Sequence, residues 1–355
     1  MVEWKKLGDV CEIKTGKGII QKDCSDEYSY PVMSGGQTPM GMYFQFNREA
    51  NTTTISRVGA YAGFVSFVKE KFYCNDKCFS VIPKKQDVFD SRFLYVVLKH
   101  KEESIKKLQS EGGVPTINTK KLGNILIPIP VIEEQQRIAG ILDTFTFAID
   151  NLKEQIAQRR KQYECYRDQL LDLEGKEGVE MKKLGEIGEF IRGNGIQKSD
   201  FVEEGFSCIH YGQIHAKYGF SAEETISKID EVLYKRCKKA KKGDVVLATT
   251  SEDAEGVAKP FVWLGEEDAA VSGDAFIYHH NQNGKFMGYL FLTHKFMQFK
   301  VKYATGAKVV RISGDNMAKY EVALPSLEKQ NEIVSILDTF EASIANLEAQ
   351  LSQRE

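Results

Sequence analysis

The segment from Ile132 to about Leu171 limits most strongly how this chain can fold, because its apolar residues keep a heptad spacing over its whole length. Apolar positions that alternate in steps of four and three form the a/d seam of a coiled coil. After Gly140 neither Pro nor Gly interrupts the pattern. A helix of about 40 residues spans roughly 60 Å, which exceeds the width of one domain. The sequence therefore predicts one long helix that separates two globular bodies.

A second segment with the same spacing ends the sequence, and the two segments are related by an internal repeat. Residues 141–145 and 336–340 both read ILDTF, and the flanking Pro, Glu and Gln residues also recur 195 positions later. A repeat at a fixed offset indicates an internal duplication. The two helices are predicted to pair through the seam residues Ile138, Leu142, Phe145, Ile149, Leu152, Ile156, Ile333, Leu337, Phe340, Ile344, Leu347 and Leu351.

The two globular segments begin with the same letters and follow the same order of elements. Lys-Lys-Leu-Gly occurs at 5–8 and at 182–185, and a Gly-x-Gly turn follows in each half. Short strand-like runs come next, and then one amphipathic helix is expected over 91–108 and over 286–303. The predicted fold class is α+β, with two duplicated α/β domains separated by a long antiparallel two-helix coiled coil. The predicted boundaries are a first domain at 1–131, a central spacer helix at 132–180, a second domain at 181–327 and a C-terminal spacer helix at 328–355.

Charge is divided unevenly between these segments, although the formal net charge of the chain is only -2. Residues 1–131 hold 19 Lys and Arg against 14 Asp and Glu, and residues 181–327 hold 20 against 19. The helical segments 132–180 and 328–355 together hold 9 against 17. This polarity is expected if the globular parts face a polyanion and the helices face another partner. Simple solvation of acidic helix faces explains it as well.

Several classes of protein are disfavoured by composition. No run of about 18 apolar residues is present, and the N-terminal residues lack the apolar centre of a signal peptide. The seven cysteines are odd in number and mostly isolated, which suits a reducing compartment better than a disulfide framework. A cytoplasmic location is the default expectation.

Two further motifs complete the pattern: GGVPTINTKKLGNILIPIP at 112–130 and its degenerate repeat VALPSLEKQNEI at 322–333, each leading into an ILDTF helix. With the paired KKLG openings and the domain order, they resemble the specificity (S) subunit of type I restriction-modification enzymes. The resemblance covers the whole chain. It implies that each globular part is a target-recognition domain that reads one half of a bipartite, asymmetric DNA target, while the helices set the gap and dock methyltransferase subunits.

The same resemblance implies a set of partners and a division of chemistry. The expected partners are double-stranded DNA, two DNA methyltransferase (M) subunits and, in the full complex, motor-nuclease (R) subunits. This chain would be a non-catalytic member of an adenine-specific methyltransferase complex. It would carry no cofactor of its own, and S-adenosylmethionine, ATP and Mg²⁺ would act on the partner subunits.

The sequence departs from the family pattern at its last residue, because Glu355 matches Arg160 and the second helix therefore has no counterpart of residues 161–180. Whether Tyr163, Tyr166 and Leu170 find a partner is open at this point.

Candidate DNA-contacting residues are those that can read bases or hold phosphates and that lie near turns. Arg and Lys pair with guanine, Asn and Gln with adenine, and Ser or Thr with either, while Lys on phosphate sets register only. For each of these residues, the alternative to a DNA contact is a solvated position on the protein surface. The predicted set is Lys17, Lys22, Ser34, Gln37, Arg57, Tyr61, Lys77, Thr116, Asn118 and Lys120 in the first domain, and Arg192, Lys198, Tyr211, Gln213, Thr250, Ser251, Lys308 and Arg311 in the second.

Catalysis by this chain alone is the alternative from a different class. The Gly-x-Gly pairs lack the third glycine of a dinucleotide fingerprint, and no phosphate loop of the Gly-x4-Gly-Lys-Ser/Thr type occurs. Acidic runs at 252–255 and 266–268 keep open a stand-alone sequence-specific DNA endonuclease with a diverged metal site. Cys74 with Cys78 and the His pairs lack a second pair at zinc-finger spacing, so no catalytic or metal residue is predicted.

A third hypothesis is that the chain is a structural coiled-coil scaffold. It predicts no salt-sensitive affinity for DNA.

Overall fold

The computed structural model describes residues 2–306 and 309–354. It forms two compact units, Met1–Asp150 and Asn151–Glu355. We call the helix Ile132–Leu171 the first spacer helix and the helix Leu327–Arg354 the second spacer helix. The boundary between the units falls inside the first spacer helix. Because that helix ends at Leu171, residues 172–179 of the predicted segment 132–180 form a connection with neither helix nor strand.

The first unit contains three sheets and four short helices besides its part of the first spacer helix. Its largest sheet is antiparallel throughout, in the order Cys11–Thr15, Cys78–Pro83, Thr52–Ser56 and Val65–Val68. A second sheet has the order Met42–Tyr43, Tyr30–Met33 and Tyr73–Cys74, and its last pair is parallel. Glu3–Lys6 pairs with Leu126–Ile129. The α-helices are Leu7–Val10, Ser91–His100, Glu102–Lys106 and Thr119–Gly123, and a 3-10 turn covers Gln21–Asp23.

The core of the first unit forms where the helix Ser91–His100 packs on the four-stranded sheet. This helix buries Phe93, Leu94 and Leu98, which recur on one face at helical spacing. The first turns of the first spacer helix join the same core, since Ala139 is 4% exposed and Ile138 packs beside it. The spacer helix is therefore part of the domain from which it starts.

The second unit contains two five-stranded sheets and two strand pairs. One sheet has the order Gly188–Arg192, Ala275–His280, Val245–Ala248, Lys259–Trp263 and Ser221–Ala222; the other has the order Phe201–Val202, Ser227–Ile229, Phe206–Ile209, Ala269–Val271 and Lys239–Ala240. The strand pairs are Glu180–Lys183 with Glu321–Leu324 and Thr250–Ser251 with Val310–Arg311. The α-helices are Leu184–Ile187, Tyr211–Ala216, Glu231–Arg236, Gly284–Leu290, His294–Tyr303 and Gly314–Met317, and a 3-10 turn covers Lys198–Asp200.

The duplication is visible in how each domain opens and closes. In both halves the KKLG segment forms an antiparallel pair with the strand that precedes the spacer helix. The leucine of that motif, Leu7 or Leu184, is fully buried in its own core. A Cβ on Gly16 would lie 1.5 Å from the Cys74 carbonyl oxygen, and one on Gly193 would lie 2.3 Å from that of Ser272. The first glycine of each Gly-x-Gly pair therefore permits a close approach of two backbones.

Two sequence expectations about helices are wrong. The segments 91–108 and 286–303 each form two helices, with breaks at Lys101 and at residues 291–293. In the first unit Glu102 accepts a hydrogen bond from the Val65 backbone N–H at 2.9 Å, which ties the second helix to the sheet. In the second unit the Thr293 hydroxyl caps the following helix. The spacing of the apolar residues does not predict these contacts, because polar groups make them.

The second spacer helix packs antiparallel on residues 152–171. Arg160 pairs with Glu348, the Tyr163 hydroxyl donates to Glu341 at 3.0 Å, and the rings of Tyr166 and Phe340 stack at 5.4 Å. Tyr163 and Tyr166 thus have partners. Of the predicted seam, Leu152, Ile156 and Ile344 are buried; Ile333 and Leu337 lie in the core of the second unit; and Leu142 and Phe145 are 41% and 58% exposed. In the part of the chain that the structure describes, no helix is long and apolar enough to cross a membrane.

Candidate nucleic-acid interface

Loops distant in sequence meet at one end of the first domain. The Arg57 backbone N–H donates to the Lys77 carbonyl at 2.8 Å, and the Ile117 N–H donates to the Arg57 carbonyl at 2.9 Å. The Ser56 hydroxyl donates to the Gly36 carbonyl at 2.9 Å, and the Lys17 N–H donates to the Cys74 carbonyl at 3.2 Å. We call these segments, 16–19, 34–37, 56–61, 74–77 and 114–117, the first loop cluster. It brings together most of the predicted readers of this domain.

Asn75 connects several segments of the first loop cluster, and no sequence motif predicts this structural role. Its side chain is 1% exposed, its amide donates to the Ile19 carbonyl at 2.9 Å, and its amide oxygen accepts from the Lys77 N–H at 3.2 Å. Its backbone N–H donates to the Met33 carbonyl at 2.9 Å. One buried residue therefore connects three loops, and a buried amide with satisfied hydrogen bonds fixes their relative positions.

Arg57 lies at the centre of the first loop cluster. Its guanidinium donates to the Asp76 carbonyl at 3.0 Å and lies 5.8 Å from the centre of the Phe79 ring. These contacts leave the side chain half-buried. A guanidinium held in this way loses less conformational entropy when it pairs with a base or a phosphate.

The remaining predicted residues of the first domain differ in their exposure and in whether they lie on the first loop cluster. Lys17, Gln37, Tyr61 and Lys77 are exposed on the cluster, and Thr116 is half-buried beside them. The others differ in their surroundings: Ser34 is 8% exposed, the Asn118 side chain caps the helix Thr119–Gly123, and Lys120 in that helix and Lys22 in the 3-10 turn Gln21–Asp23 are exposed. Burial of Ser34 and the capping bond of Asn118 favour supporting roles for these two.

The second domain has a corresponding cluster around the loop Ser272–Asp274, which we call the second loop cluster. The Arg192 side chain donates to the Gly273 carbonyl at 2.9 Å, and the Tyr211 backbone N–H donates to the Ser272 hydroxyl oxygen at 2.9 Å. The Thr249 N–H donates to the Asp274 carbonyl at 3.0 Å. The loop Ser272–Asp274 thus positions two predicted readers, Arg192 through Gly273 and Tyr211 through Ser272, although no sequence motif predicts this role.

The strand pair beside this loop adds Thr250, Ser251 and Arg311 to the second loop cluster. Thr250 pairs directly with Arg311, and a ring nitrogen of His215 lies 3.0 Å from the Thr250 carbonyl. Lys308, which is also in the predicted set, lies outside the described residues.

Three predicted residues of the second domain, and the neighbouring His210, have other surroundings. Tyr211 begins the helix Tyr211–Ala216, and Gln213, two residues later, is 7% exposed and donates to the Ser227 hydroxyl oxygen at 2.6 Å. Lys198 lies in an exposed 3-10 turn. Burial, and secondarily the charge of Lys198, lowers the pKa of His210, whose ring packs edge-on against Phe201.

No metal centre is apparent in residues 2–306 and 309–354, where no group of three or more His, Cys, Asp or Glu side chains could hold an ion. Cys74 and Cys78, the closest cysteine pair in the sequence, are buried in a small apolar cluster with Met33, Val68 and Phe72.

Comparison with known proteins gives one consistent result. Residues 1–159 and 176–354 match the family described as type I restriction modification DNA specificity domain. The chain is 27% identical to a putative type I specificity subunit of Mycoplasma pneumoniae over 96% of its length and 90% of that protein. It is 25% identical to the EcoR124I/EcoR124II type I restriction enzyme specificity subunit of Escherichia coli, over 96% of this chain and 87% of that one.

Solved structures share the fold. The S subunit of a type I restriction-modification system from M. genitalium superposes with a TM-score of 0.66 at 18% sequence identity, covering 100% of this chain and 93% of that one. A chain from a structural study of complex assembly and conformational transition in the type I restriction-modification system gives 0.59 at 17% identity, over 99% and 93%.

Proposed function

We infer the function from one premise, which is that this chain belongs to the type I restriction-modification DNA specificity family. It is a DNA-recognition subunit. We propose that each globular domain reads one half of a bipartite, asymmetric target through its loop cluster. Nothing in the described residues or in the relatives supports the alternative of a stand-alone endonuclease.

The observation that carries this proposal is that a repeated frame presents two different sets of loop side chains. The opening strand pair, the buried leucine and the close glycine are the same in both halves. The first loop cluster displays Lys17, Arg57 and Lys77, whereas the second displays Arg192, Thr250 and Arg311. Because base readout depends on the donors and acceptors that reach the groove, two unlike clusters read two unlike half-sites.

The spacer helices supply the second part of the proposal, the length of the unread gap. The first spacer helix runs without interruption over 40 residues, so its length is set by the rise of the α-helix. A four-residue insertion adds about 6 Å, and base pairs stack at roughly 3.4 Å. We therefore expect one extra turn after Asp150 to lengthen the preferred gap by about one to two base pairs.

The proposed partners follow from family membership and from the acidic character of the helices. Two methyltransferase subunits would dock on the spacer helices and carry S-adenosylmethionine, and motor-nuclease subunits would carry ATP and Mg²⁺. Glu133 is exposed on the first spacer helix, and Glu328 is exposed at the equivalent position of the second. Acidic exposed faces suit a docking partner of complementary charge.

Mapping adenine methylation tests the proposal directly. Cells that lack adenine methylation of their own would express the methyltransferase genes with this chain, with the insertion variant, or without this chain. We expect a split motif with a fixed gap for the wild-type chain, a longer gap for the insertion variant, and no motif without the chain. A contiguous motif, or a gap unchanged by the insertion, would contradict the proposal. Cleavage of DNA by the purified chain with Mg²⁺ alone would favour the endonuclease.

A further inference from the structure

In the first domain, a buried glutamine of the first spacer helix is tied to the start of the core helix Ser91–His100. Gln135 is fully buried, and its amide oxygen accepts from the backbone N–H of Asp90, the capping residue of that helix, at 2.9 Å. Its amide nitrogen donates to the carbonyls of Val88 at 2.9 Å and Pro130 at 2.8 Å. All three bonds run from one side chain to backbone, so the geometry does not depend on flexible partners.

Two turns further along the spacer helix, an ion pair makes a second connection to the same core helix. Arg92, two residues after the capping residue, donates through Nε to Asp143 at 2.6 Å. The guanidinium also lies over the rings of Phe67 and Tyr95, at 4.8 and 4.7 Å from their centres. The glutamine and the ion pair together hold the spacer helix at two points, and two points define its direction relative to the domain. We call this pair of contacts the clamp.

The second domain contains the same clamp built from different residues. Gln330 is fully buried, accepts from the backbone N–H of the capping residue Asn283 at 3.1 Å, and donates to the Pro325 carbonyl at 3.0 Å. Lys285, again two residues after the capping residue, pairs with Asp338 at 2.8 Å. The Tyr289 hydroxyl donates to the same carboxylate at 2.7 Å.

The spacing within the two clamps is identical: the glutamine and the aspartate on the spacer helix are the same in both, and only their partners on the core helix differ in type. In both halves the aspartate follows the glutamine by eight positions, which places the two side chains about two turns apart on one helix face. Asp90 with Arg92 in one domain corresponds to Asn283 with Lys285 in the other. The polar geometry is thus retained while the partner residues vary. A buried amide that lost its partners would leave unsatisfied backbone groups, so each clamp has one well-defined arrangement.

We propose that the two clamps are positioning devices that fix the direction of each recognition domain on its spacer helix, and that they thereby restrict the enzyme to one gap length. This inference rests on the proposed function. The clamps touch neither loop cluster, so they do not select bases. A domain that tilts on its helix moves its loop cluster along the duplex, and a displacement of about 3.4 Å is one base pair.

The test separates gap length from base preference. The variants are Asp143→Asn, Asp338→Asn and the two combined, because asparagine keeps the shape and removes the charge. Matched controls are Glu70→Gln and Glu224→Gln, which remove the same charge from exposed positions in the two domains, outside the spacer helices and both loop clusters. Asp143→Glu keeps the charge and is the rescue variant. Each is expressed with the methyltransferase subunits on plasmids that carry the wild-type half-sites at gaps up to three base pairs shorter or longer.

We expect the double variant to methylate targets whose gap differs by one base pair about five-fold more, relative to the preferred gap, than the wild-type chain does, which is the order of magnitude expected when two partly exposed ion pairs are weakened. The half-site sequences should stay unchanged, and the controls and Asp143→Glu should behave as wild type. If thermal unfolding shows that the double variant does not fold, the gap preference of the two single variants is measured and compared in the same way.

Three results would overturn the inference: an unchanged distribution of gaps in folded variants, an altered half-site sequence, or equal loss of methylation at every gap. Failure of the proposed function looks different, because the wild-type chain itself would then give no split motif.

Discussion

Lys300 allows a quantitative prediction about the loop that leads away from the second loop cluster. The side chain is 3% exposed, and its ammonium donates to the carbonyls of Glu255 at 2.5 Å and Val257 at 2.7 Å. Burial lowers the pKa of Lys300 from 10.5 to about 8, and the nearby carboxylates of Asp253 and Glu255 oppose this shift only in part. A lysine that anchors residues 255–257 therefore carries its charge in an unfavourable environment at neutral pH.

The pH dependence of stability follows from this shift. Between pH 8 and 10.5 the unfolded chain holds a proton on Lys300 that the folded chain has lost, so the free energy of unfolding rises with pH in this window. Each pH unit within the window is worth about 1.4 kcal/mol. From pH 8 to 9.5 the wild-type chain should therefore gain about 2 kcal/mol relative to Lys300→Met, which has no proton to lose.

Urea unfolding at several pH values, followed by the signal of the buried Trp263 in the second unit, measures this difference. The quantity of interest is the wild-type value minus the variant value at each pH, because other titrating groups contribute equally to both. A difference that stays constant from pH 7 to 9.5 would refute the reasoning, since it would mean that Lys300 keeps its ordinary pKa in the fold. A difference that falls with pH would reverse the sign and refute it as well.

Three other predictions concern the seam, the first loop cluster and acid stability. Ile344→Ala should lower the free energy of unfolding by about 2–4 kcal/mol in urea titrations, whereas Leu142→Ala, at a seam position that is 41% exposed, should cost less than about 1 kcal/mol. Arg57→Ala should weaken binding by about 1–3 kcal/mol and relax base preference in one half-site only, measured by competition among duplexes; relaxation of both half-sites would be evidence against separate readers. Burial lowers the pKa of His280 to about 4, so its contribution to stability is complete above pH 6.5 and is lost as the pH falls towards 4; His280→Asn should flatten acid unfolding in that window, and an unchanged profile would argue against a buried neutral ring.

The features that the sequence predicted correctly are those that depend on periodicity or on internal repetition. The first spacer helix begins at Ile132 and ends at Leu171, as the heptad pattern indicated. Short strands follow the opening of each domain, as the strand-like runs indicated. These signals are local, since apolar residues at fixed spacing report directly on one buried face.

The features that the sequence did not reveal depend on contacts between distant residues. Whether a seam position is buried depends on what lies opposite, so Ile156 is 8% exposed while Phe145, at an equally good heptad position, is 58% exposed. The convergence of five segments in the first loop cluster, three of which are connected by Asn75, is a property of the sheet topology. The side-chain amide of Gln213 is of a type that pairs with adenine, but the fold buries this residue against Ser227. Side-chain type alone does not distinguish these cases.

The first turns of the first spacer helix belong to the core of the domain that precedes them, and this decides where chimaeras between relatives can be joined. A crossover at residue 131, the apparent edge of the globular part, would pair one parent's core with another parent's Gln135 and Ala139, both of which are buried in it. A junction after Asp143 and before Leu152 transfers those residues with their own domain and crosses only exposed or half-buried helix. Exchange of target specificity by recombination should therefore succeed when the joint falls within the helix, about three to five turns from its start.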